Sequence, residues 1–154
     1  MRVQDVMTES VKTVSPATAA EDAWILMRDN RIHHLVVTDG ARIVGLLSDR
    51  DTGGRRGAAL RKNHAVGDLM TDSVVTVEAT TTVRQAANLM RGRSIGCLVV
   101  TGSGRVKGVK GIVTVSDLLE LVGRGLDRGA VRTKRWTLKH RAPRRKVSRP
   151  TSTW

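Results

Sequence analysis

Apolar positions along the first 60 residues recur in three patterns, in the order extended segment, helix and hairpin. Residues 11–14 form a brief extended pattern, and apolar residues at positions 20, 23, 24 and 27 then recur at intervals of three and four, which predicts one buried face of a helix. The apolar runs 35–37 and 43–47 flank an Asp-Gly pair, which is typical of a tight hairpin turn. With a last helix after the hairpin, the predicted order is β-α-β-β-α.

The same patterns return 63 residues later. Of the 36 positions from 3 to 38, 18 are identical to the position 63 residues further along. Beyond the stretch G-S-G-R-V-K-G-V-K-G the shift becomes 66, so we expect three extra residues to bulge between the last two strands. A repeat of this size cannot bury its apolar face alone. The sequence therefore predicts two copies packed as one pseudo-symmetric unit, with equivalent clefts on either side.

Charge divides the chain more sharply than hydrophobicity does. The net charge is +13, yet residues 1–122 hold 16 Lys and Arg against 13 Asp and Glu, whereas residues 123–154 hold 11 against one. The last segment has too few apolar residues to fold by itself. We therefore predict a first repeat over residues 1–60, a second over 61–123, and a basic, flexible tail over 124–154.

The composition and motifs of the chain argue against a membrane protein, a secreted protein, a metal-binding protein and an enzyme. The chain contains no apolar run long enough for a membrane span and no secretory leader pattern, so we expect a cytoplasmic protein without a membrane partner. Cys97 is the single cysteine and lies in the apolar stretch C-L-V-V, where it resembles a small buried hydrophobe. We expect no metal site and no enzyme, because no catalytic triad order, paired carboxylate, P-loop or dinucleotide glycine string occurs.

Each copy closes with a hydroxyl residue followed three positions later by an aspartate, Ser48 with Asp51 and Thr114 with Asp117. If the hydroxyl residue starts a helix, free backbone N–H groups and the helix dipole favour a phosphate there. An ionised aspartate accepts hydrogen bonds from two vicinal ribose hydroxyls, so the pair suggests a nucleotide site. The same spacing is a helix capping box that only satisfies a helix end. The residues alone leave both interpretations open.

Four strings occur in both copies: D-[VL]-M-T, T-V-x-[PA], L-V-V and G-h-h-[ST]-x-x-D, where h is aliphatic. Together they resemble a tandem cystathionine-β-synthase (CBS) domain pair, or Bateman module, over residues 1 to about 123. The resemblance implies a mixed α/β (α+β) fold in which two β-α-β-β-α CBS repeats pack sheet to sheet with pseudo-two-fold symmetry. It also implies up to two clefts for AMP, ADP, ATP or S-adenosylmethionine, and a homodimer formed through the helical faces.

The resemblance also implies which residues bind the nucleotide. In that family the hydroxyl contacts phosphate and the aspartate contacts ribose, which here are Ser48 with Asp51 and Thr114 with Asp117. The residues implied to line the base come from the first strand and from the start of the second strand of each copy: Thr13, Val14, Pro16, Ile32, His33, His34, Thr76, Val77, Ile95, Gly96 and Cys97.

Two departures weaken the parallel between the copies. After Asp51 the first copy continues T-G-G-R-R-G, and glycines disfavour a helix there, whereas in the second copy apolar residues continue the helical pattern to Gly123. In the second copy Ala79 stands where the family usually has a proline, as the first copy has at Pro16. The basic residues that follow the first motif, namely Arg55, Arg56, Arg61 and Lys62, are interpreted as a solvated linker in preference to a phosphate contact.

The sequence thus favours a non-catalytic sensor that binds an adenosine-containing nucleotide, needs no catalytic cofactor and transmits occupancy to an unidentified regulated protein. The alternative is a nucleic-acid-associated or protein-interaction scaffold that uses the CBS pair to dimerise and the basic tail, residues 124–154, to bind nucleic acid or another polyanion such as an acidic protein surface. The absence of Phe and Tyr opposes single-strand nucleic-acid binding by base stacking. The sequence specifies neither the preferred nucleotide nor the number of competent clefts.

Overall fold

Two three-stranded sheets form the framework of the molecule, which the computed structural model describes over residues 1–104 and 108–124. In each sheet a short first strand pairs in parallel with the second, and the second pairs antiparallel with the third. The first sheet contains β1 (Thr13–Val14), β2 (His34–Asp39) and β3 (Arg42–Ser48), and the second contains β4 (Thr76–Glu78), β5 (Cys97–Thr101) and β6 (Val109–Thr114). The predicted mixed fold of two similar halves is confirmed.

The helices also come in matched pairs, with one exception. The helices α1 (Ala20–Asn30) and α4 (Val83–Arg93) each follow the first strand of their copy and end at a residue in the left-handed conformation. The short elements are 3-10 turns at Val3–Asp5 and Gly54–Arg56, α2 (Ala58–Arg61) and α3 (Val66–Leu69). Within the described residues, a long closing helix exists only in the second copy, where α5 spans Val115–Arg124.

The first copy therefore lacks the closing helix that the repeated order predicts. The chain turns after Asp51, forms the 3-10 turn and reaches α2, a helix of one turn. Gly53 and Gly54 have φ angles of 75° and 57°. This left-handed backbone is open to glycine and interrupts a right-handed helix. The prediction of a weaker helix at this position is confirmed.

Each sheet packs one face against the helix of its own copy. In the first copy Leu35 and Val37 of β2 meet Ala23 and Met27 of α1 in one fully buried cluster. The equivalent cluster of the second copy contains Leu98, Val100, Val113, Ala86 and Met90. The three-to-four spacing in the sequence correctly predicted Ala23 and Met27 on the buried face of α1, whereas Trp24, predicted on the same face, is only half-buried and lies outside the core.

The opposite face of each sheet is also covered. Val36 and Val99 are wholly buried but belong to neither cluster. Because adjacent side chains of a strand point to opposite faces, these two valines lie on the face turned away from the helix of their own copy. Their burial agrees with the sheet-to-sheet packing that the family resemblance implied.

The opening segments of the two copies are exchanged. Val3 lies in the core of the second copy, and Val66 lies in the core of the first. The backbone pairing is reciprocal: Val3 N–H donates to Thr81 O at 2.8 Å, and Val66 N–H donates to Thr18 O at 2.8 Å. Each sequence repeat therefore completes the core of the other, which joins the two copies into one folding unit.

The exchange continues at the edge strands. Thr8 pairs with Ile112 of β6, and Thr71 pairs with Leu46 of β3, each through two backbone hydrogen bonds of 2.9 to 3.0 Å. The motif glycines make this approach possible, since a Cβ atom on Gly111 would lie 2.5 Å from Thr8 O. Glycine thus stands where a strand and a crossing segment nearly touch.

The three extra residues of the second copy lie in its hairpin loop. Thr38 is opposite Ile43 in the first hairpin, and Thr101 is opposite Val109 in the second. The shift between copies changes from 63 to 66 across this loop, which confirms the predicted position of the insertion. No helix of the described chain has the length and apolar character needed to cross a bilayer. Of the predicted tail, residues 124–154, only Arg124 is described, as the last residue of α5, and the rest lies outside the described residues.

Candidate functional site

The two strand ends that carry the repeated motif open into one cavity of about 840 Å³. We call these ends corner 1 (Ser48 and Asp51, at the end of β3) and corner 2 (Thr114 and Asp117, at the junction of β6 and α5). All four residues line the cavity. The sequence predicted equivalent clefts on either side of the molecule, whereas the structure joins both corners in a single space. The exchanged segments account for this arrangement, because they pair with β3 and β6 and bring the two strand ends together.

Ten of the residues that the resemblance implied line this cavity. They are Ile32, His33, His34, Ser48, Asp51, Ile95, Gly96, Cys97, Thr114 and Asp117. The structure therefore brings together both corners and the starts of β2 and β5, as expected if these residues share one ligand.

The other five do not line the cavity, and they are Thr13, Val14, Pro16, Thr76 and Val77. Val77 lies in the second core, and Val14 packs against the first. The Pro16 carbonyl accepts a hydrogen bond from Gly67 N–H at 2.9 Å, which places Pro16 against the exchanged segment. Thr13 and Thr76 are exposed, and because adjacent side chains of a strand point to opposite faces, they point away from the cores that Val14 and Val77 contact.

Residues that precede β1 and β4 line the cavity instead. They are Thr8, Ser10 and Val11 in the first copy and Thr71, Ser73, Val74 and Val75 in the second. Sequence reasoning missed them because it assigned each opening segment to its own copy. The repeated T-x-S-V pattern, at 8–11 and at 71–74, was the available signal.

Each corner is closed by reciprocal hydrogen bonds over four residues. In corner 1, Ser48 N–H donates to Asp51 Oδ2 at 2.8 Å, and Asp51 N–H donates to Ser48 Oγ at 3.2 Å. In corner 2 the corresponding distances are 2.7 and 3.3 Å. The capping box is thus present in both corners. It uses one carboxylate oxygen, and within the described residues the other oxygen, Oδ1, accepts no hydrogen bond in either corner.

The hydroxyl groups of the two corners differ. Thr114 Oγ1 donates to Asp117 Oδ2 at 2.9 Å. Among the described residues the Ser48 hydroxyl only accepts a hydrogen bond, so its proton remains available to a ligand. A phosphate that took the Thr114 proton would have to break an existing hydrogen bond, whereas at Ser48 it would not.

The strand starts opposite the corners also differ. His34 is the cross-strand partner of Ser48, and Cys97 is the partner of Thr114. Burial lowers the pKa of His34, and nearby His33 lowers it further, whereas Asp51 and Asp117 act in the opposite direction. The imidazole is therefore mainly neutral near pH 7. The influence of both carboxylates on one ring agrees with its position between the corners.

Cys97 carries no charge near neutral pH. Burial raises the pKa of its thiol to about 12, and the negative charge of Asp117 adds to this effect. Because the thiolate is the reactive form, this cysteine suits neither a nucleophile nor a metal ligand. Within the part of the chain that the structure describes, no group of three or more His, Cys, Asp or Glu residues is placed to hold a metal ion.

Charged and polar side chains gather on the first-copy side of the cavity. Arg31, Asp49 and Arg50 line it, as do the two histidines. The positions equivalent to Asp49 and Arg50 in the second copy are Val115 and Ser116, which also line it. The cavity therefore has a charged half and a more neutral half, although both halves come from one repeated sequence.

One of the four basic residues after corner 1, Arg61, does not belong to the solvated linker that the sequence suggested. Arg61 is 3% exposed, and its Nε donates to Glu21 Oε2 at 2.6 Å. Its guanidinium carbon lies 4.0 Å from the centre of the Trp24 ring. The prediction is wrong for Arg61 because a guanidinium group can be buried when acceptors and an aromatic face surround it. Arg55, Arg56 and Lys62 are exposed, as expected.

Comparisons with known proteins agree with this arrangement. The family model for the CBS domain matches two segments, residues 3–51 and 66–124. The chain is 33% identical over 134 residues to a CBS domain-containing protein of Dictyostelium discoideum, with 78% of this chain and 90% of that protein covered. It is 29% identical over 121 residues to a homoserine O-acetyltransferase of Methanohalobium evestigatum, where the match covers 78% of this chain and only 24% of the enzyme.

Solved structures resemble the whole described core. The CBS domain pair of protein MJ0100, in complex with 5'-methylthioadenosine and S-adenosyl-L-methionine, has a TM-score of 0.70 and 23% identity, and the match covers 80% of this chain and 97% of that one. CBSX2 in complex with AMP has a TM-score of 0.63 and 29% identity, covering 80% and 96%. The first likeness concerns the fold alone.

Proposed function

The chain belongs to the CBS domain family, and from this premise we propose that it is a non-catalytic regulatory module that binds an adenosine nucleotide in the cavity between its corners. The observation that carries the proposal is the convergence of Asp51 and Asp117 on one cavity. Each carboxylate keeps Oδ1 free of hydrogen bonds within the described chain, and such an oxygen can accept from a ribose hydroxyl. The capping box and ribose binding are therefore compatible uses of one side chain.

The charges that line the cavity favour a monophosphate over longer phosphate chains. Three aspartates and two arginines line it, and the pKa of His34 is lowered, so a triphosphate would add several negative charges to a space without a net positive charge. AMP is therefore our first candidate, ahead of ADP and ATP. CBSX2, whose structure contains AMP, supports this order. S-adenosylmethionine remains the alternative, since it carries no phosphate.

The exchanged segments offer a route from ligand to partner. Residues 8–11 and 71–75 cross between the copies and supply wall residues of the cavity. A ligand that contacts both copies would bind one relative arrangement of the copies more tightly than the others and would shift the population towards it. We propose that a regulated protein, not yet identified, senses this shift.

Conservative substitutions test the ribose role. Asp51→Asn and Asp117→Asn keep a side-chain acceptor for the cap but remove the charge, and each should weaken AMP binding by about tenfold in a corner that binds ribose. Asp68→Asn is the matched control, because Asp68 accepts from Ala65 N–H at 2.8 Å in the same kind of cap outside the cavity. Calorimetry that finds AMP affinity unchanged in both corner variants would refute the assignment.

Helix α5 supports a further proposal, a homodimer. Leu119 and Val122 are 65% and 69% exposed, and Val115, which also lines the cavity, is 41% exposed. Their spacing of four and three residues places them on one helix face. An exposed apolar stripe of this kind fits a second copy of the chain. Leu119→Lys should yield monomers in sedimentation velocity. Leu60→Lys changes an exposed leucine outside α5 and should leave the dimer intact. A wild type that is monomeric at micromolar concentration would exclude the dimer.

The basic tail supports a second candidate function, contact with a polyanion. Residues 123–154 carry 11 Lys and Arg against one acidic residue. Such binding would be sequence-independent and would weaken steeply with salt. A chain that ends at residue 124 should lose binding to duplex DNA and keep its affinity for AMP. Equal DNA binding by both chains would rule the tail out.

A further inference from the structure

Arg61 holds the loop that follows corner 1. This loop, residues 49–57, occupies the place in the chain that α5 occupies after corner 2. Arg61 Nη1 donates to Thr52 O at 2.9 Å and to Gly54 O at 2.5 Å. Thr52, which directly follows Asp51, is wholly buried. The guanidinium group therefore binds the backbone one residue beyond the carboxylate of the corner.

The other side of Arg61 is fixed to helix α1. Its Nε donates to Glu21 Oε2, and the Trp24 ring covers the face of the guanidinium group. Arginine suits this place because its planar group can donate in several directions while it stacks on a ring. The loop is thus tied to a helix that packs into the first core through Ala23 and Met27.

The loop itself adds bonds that converge on corner 1. Thr52 Oγ1 donates to Asp49 O at 2.7 Å, and Gly54 N–H donates to the same carbonyl at 3.1 Å. Because Asp49 and Asp51 both line the cavity, a change in loop conformation would move two wall residues. Corner 2 needs no such support, since Asp117 lies in the first turn of α5.

We propose that Arg61 is a positioning residue for nucleotide binding at corner 1, where its side chain replaces the closing helix that this copy lacks. The proposal rests on the proposed nucleotide site. Arg61 reaches the ligand only through the backbone of Thr52 and Gly54, and its action is therefore confined to the corner that this backbone supports.

A double-mutant cycle tests this confinement. Arg61→Lys keeps the charge but loses the fork of donors, and it should weaken AMP binding by about fivefold or more, as expected for coupled neighbours. In the Asp51→Asn background the further loss should fall to less than about twofold. In the Asp117→Asn background the full fivefold loss should persist. Equal losses in all three backgrounds, or no loss in any, would overturn the proposal.

Controls separate positioning from general destabilisation. Val37→Ala, in the first core, should lower the melting temperature while leaving AMP affinity unchanged. Glu21→Gln gives a milder variant should Arg61→Lys fail to fold. Hydrogen exchange in the ligand-free protein provides a second measurement, since Arg61→Lys should raise exchange at the amides of Gly53 and Gly54 and leave α5 unchanged. Wild type that binds neither AMP nor S-adenosylmethionine would overturn the proposed function, whereas unchanged exchange at the Gly53 and Gly54 amides would overturn the positioning role of Arg61.

Discussion

Corner 1 and corner 2 close with the same pair of hydrogen bonds from backbone N–H groups to side-chain oxygens, but different parts of the chain hold the two corners in place. Corner 2 begins α5, a helix of 10 residues, whereas corner 1 is followed by a glycine-rich loop that Arg61 ties to α1. The comparison shows that a motif of four residues can specify its own local geometry. Its stability towards displacement depends on distant residues that the motif does not contain.

The first residues of β2 and β5 also differ in their chemistry. His34 faces corner 1 and Cys97 faces corner 2 at equivalent positions. His34 gains a proton only below its ordinary pKa of about 6.5, because burial lowers that pKa, whereas Cys97 stays protonated because burial raises its pKa to about 12. The two halves of the cavity therefore share a backbone plan but respond differently to their surroundings.

The largest expected effect concerns the reactivity of Cys97. A thiol with a pKa of about 12 has roughly a thousandfold less thiolate at pH 8 than one with an ordinary pKa. Iodoacetamide should therefore alkylate the native protein about a thousandfold more slowly than the urea-unfolded protein, as mass spectrometry would measure. Native and unfolded rates within tenfold of each other would mean that the corner-2 side of the cavity is open and polar.

Substitution of Gly45 and of Gly111 distinguishes the two places where an exchanged segment crosses a strand, at Thr71 on β3 and at Thr8 on β6. Gly111→Ala should destabilise the protein by about 2–3 kcal/mol, because the new Cβ would meet the Thr8 carbonyl, which is backbone and cannot easily move. Gly45→Ala should cost about 1 kcal/mol, since its main obstacle is the flexible Met70 side chain. Urea unfolding measures both. A larger loss for Gly45→Ala would reverse the assignment of the tighter crossing.

The smallest effect is the pH response of the first half. The pKa of His34 is lowered in the folded protein, so the unfolded chain binds the proton more strongly. The stability contributed by the neutral ring is present above the ordinary pKa of about 6.5 and is lost as pH falls through the folded value. Melting temperatures measured from pH 8 to 5 should fall, and His34→Gln should reduce the slope. If His34→Gln leaves the slope of melting temperature against pH unchanged, the pH response comes from other titratable groups.

The sequence predicted most of the elements because they depend on short-range patterns. The stripe of α1, the hairpin of β2 and β3, and both capping boxes follow from residues within a few positions of one another. The resemblance to a CBS domain pair added the sheet packing and ten residues that line the cavity. The elements follow from neighbouring residues, and the sheet packing and the cavity residues follow from the pattern of the whole repeat.

The exchange of the opening segments was not predictable in the same way. Val3 and Val66 occupy identical positions in the repeat, so either valine fits either core, and the sequence cannot distinguish the two pairings. The role of Arg61 depends on Glu21, 40 residues away, and on Trp24. A basic residue in a basic loop carries no local sign of these partners, which is why the solvated interpretation was favoured.

Calorimetric titration of AMP into the wild type and into the double variant Asp51→Asn, Asp117→Asn tests the central claim most directly. We predict saturable binding to the wild type and at least tenfold weaker binding to the double variant, with Asp5→Asn, Asp68→Asn as the control of equal charge change. The control caps the opening turns through bonds of 2.7 and 2.8 Å and lies outside the main cavity. Equal affinity in the wild type and the corner double variant would contradict the account and leave both carboxylates with only their local hydrogen bonds to the backbone.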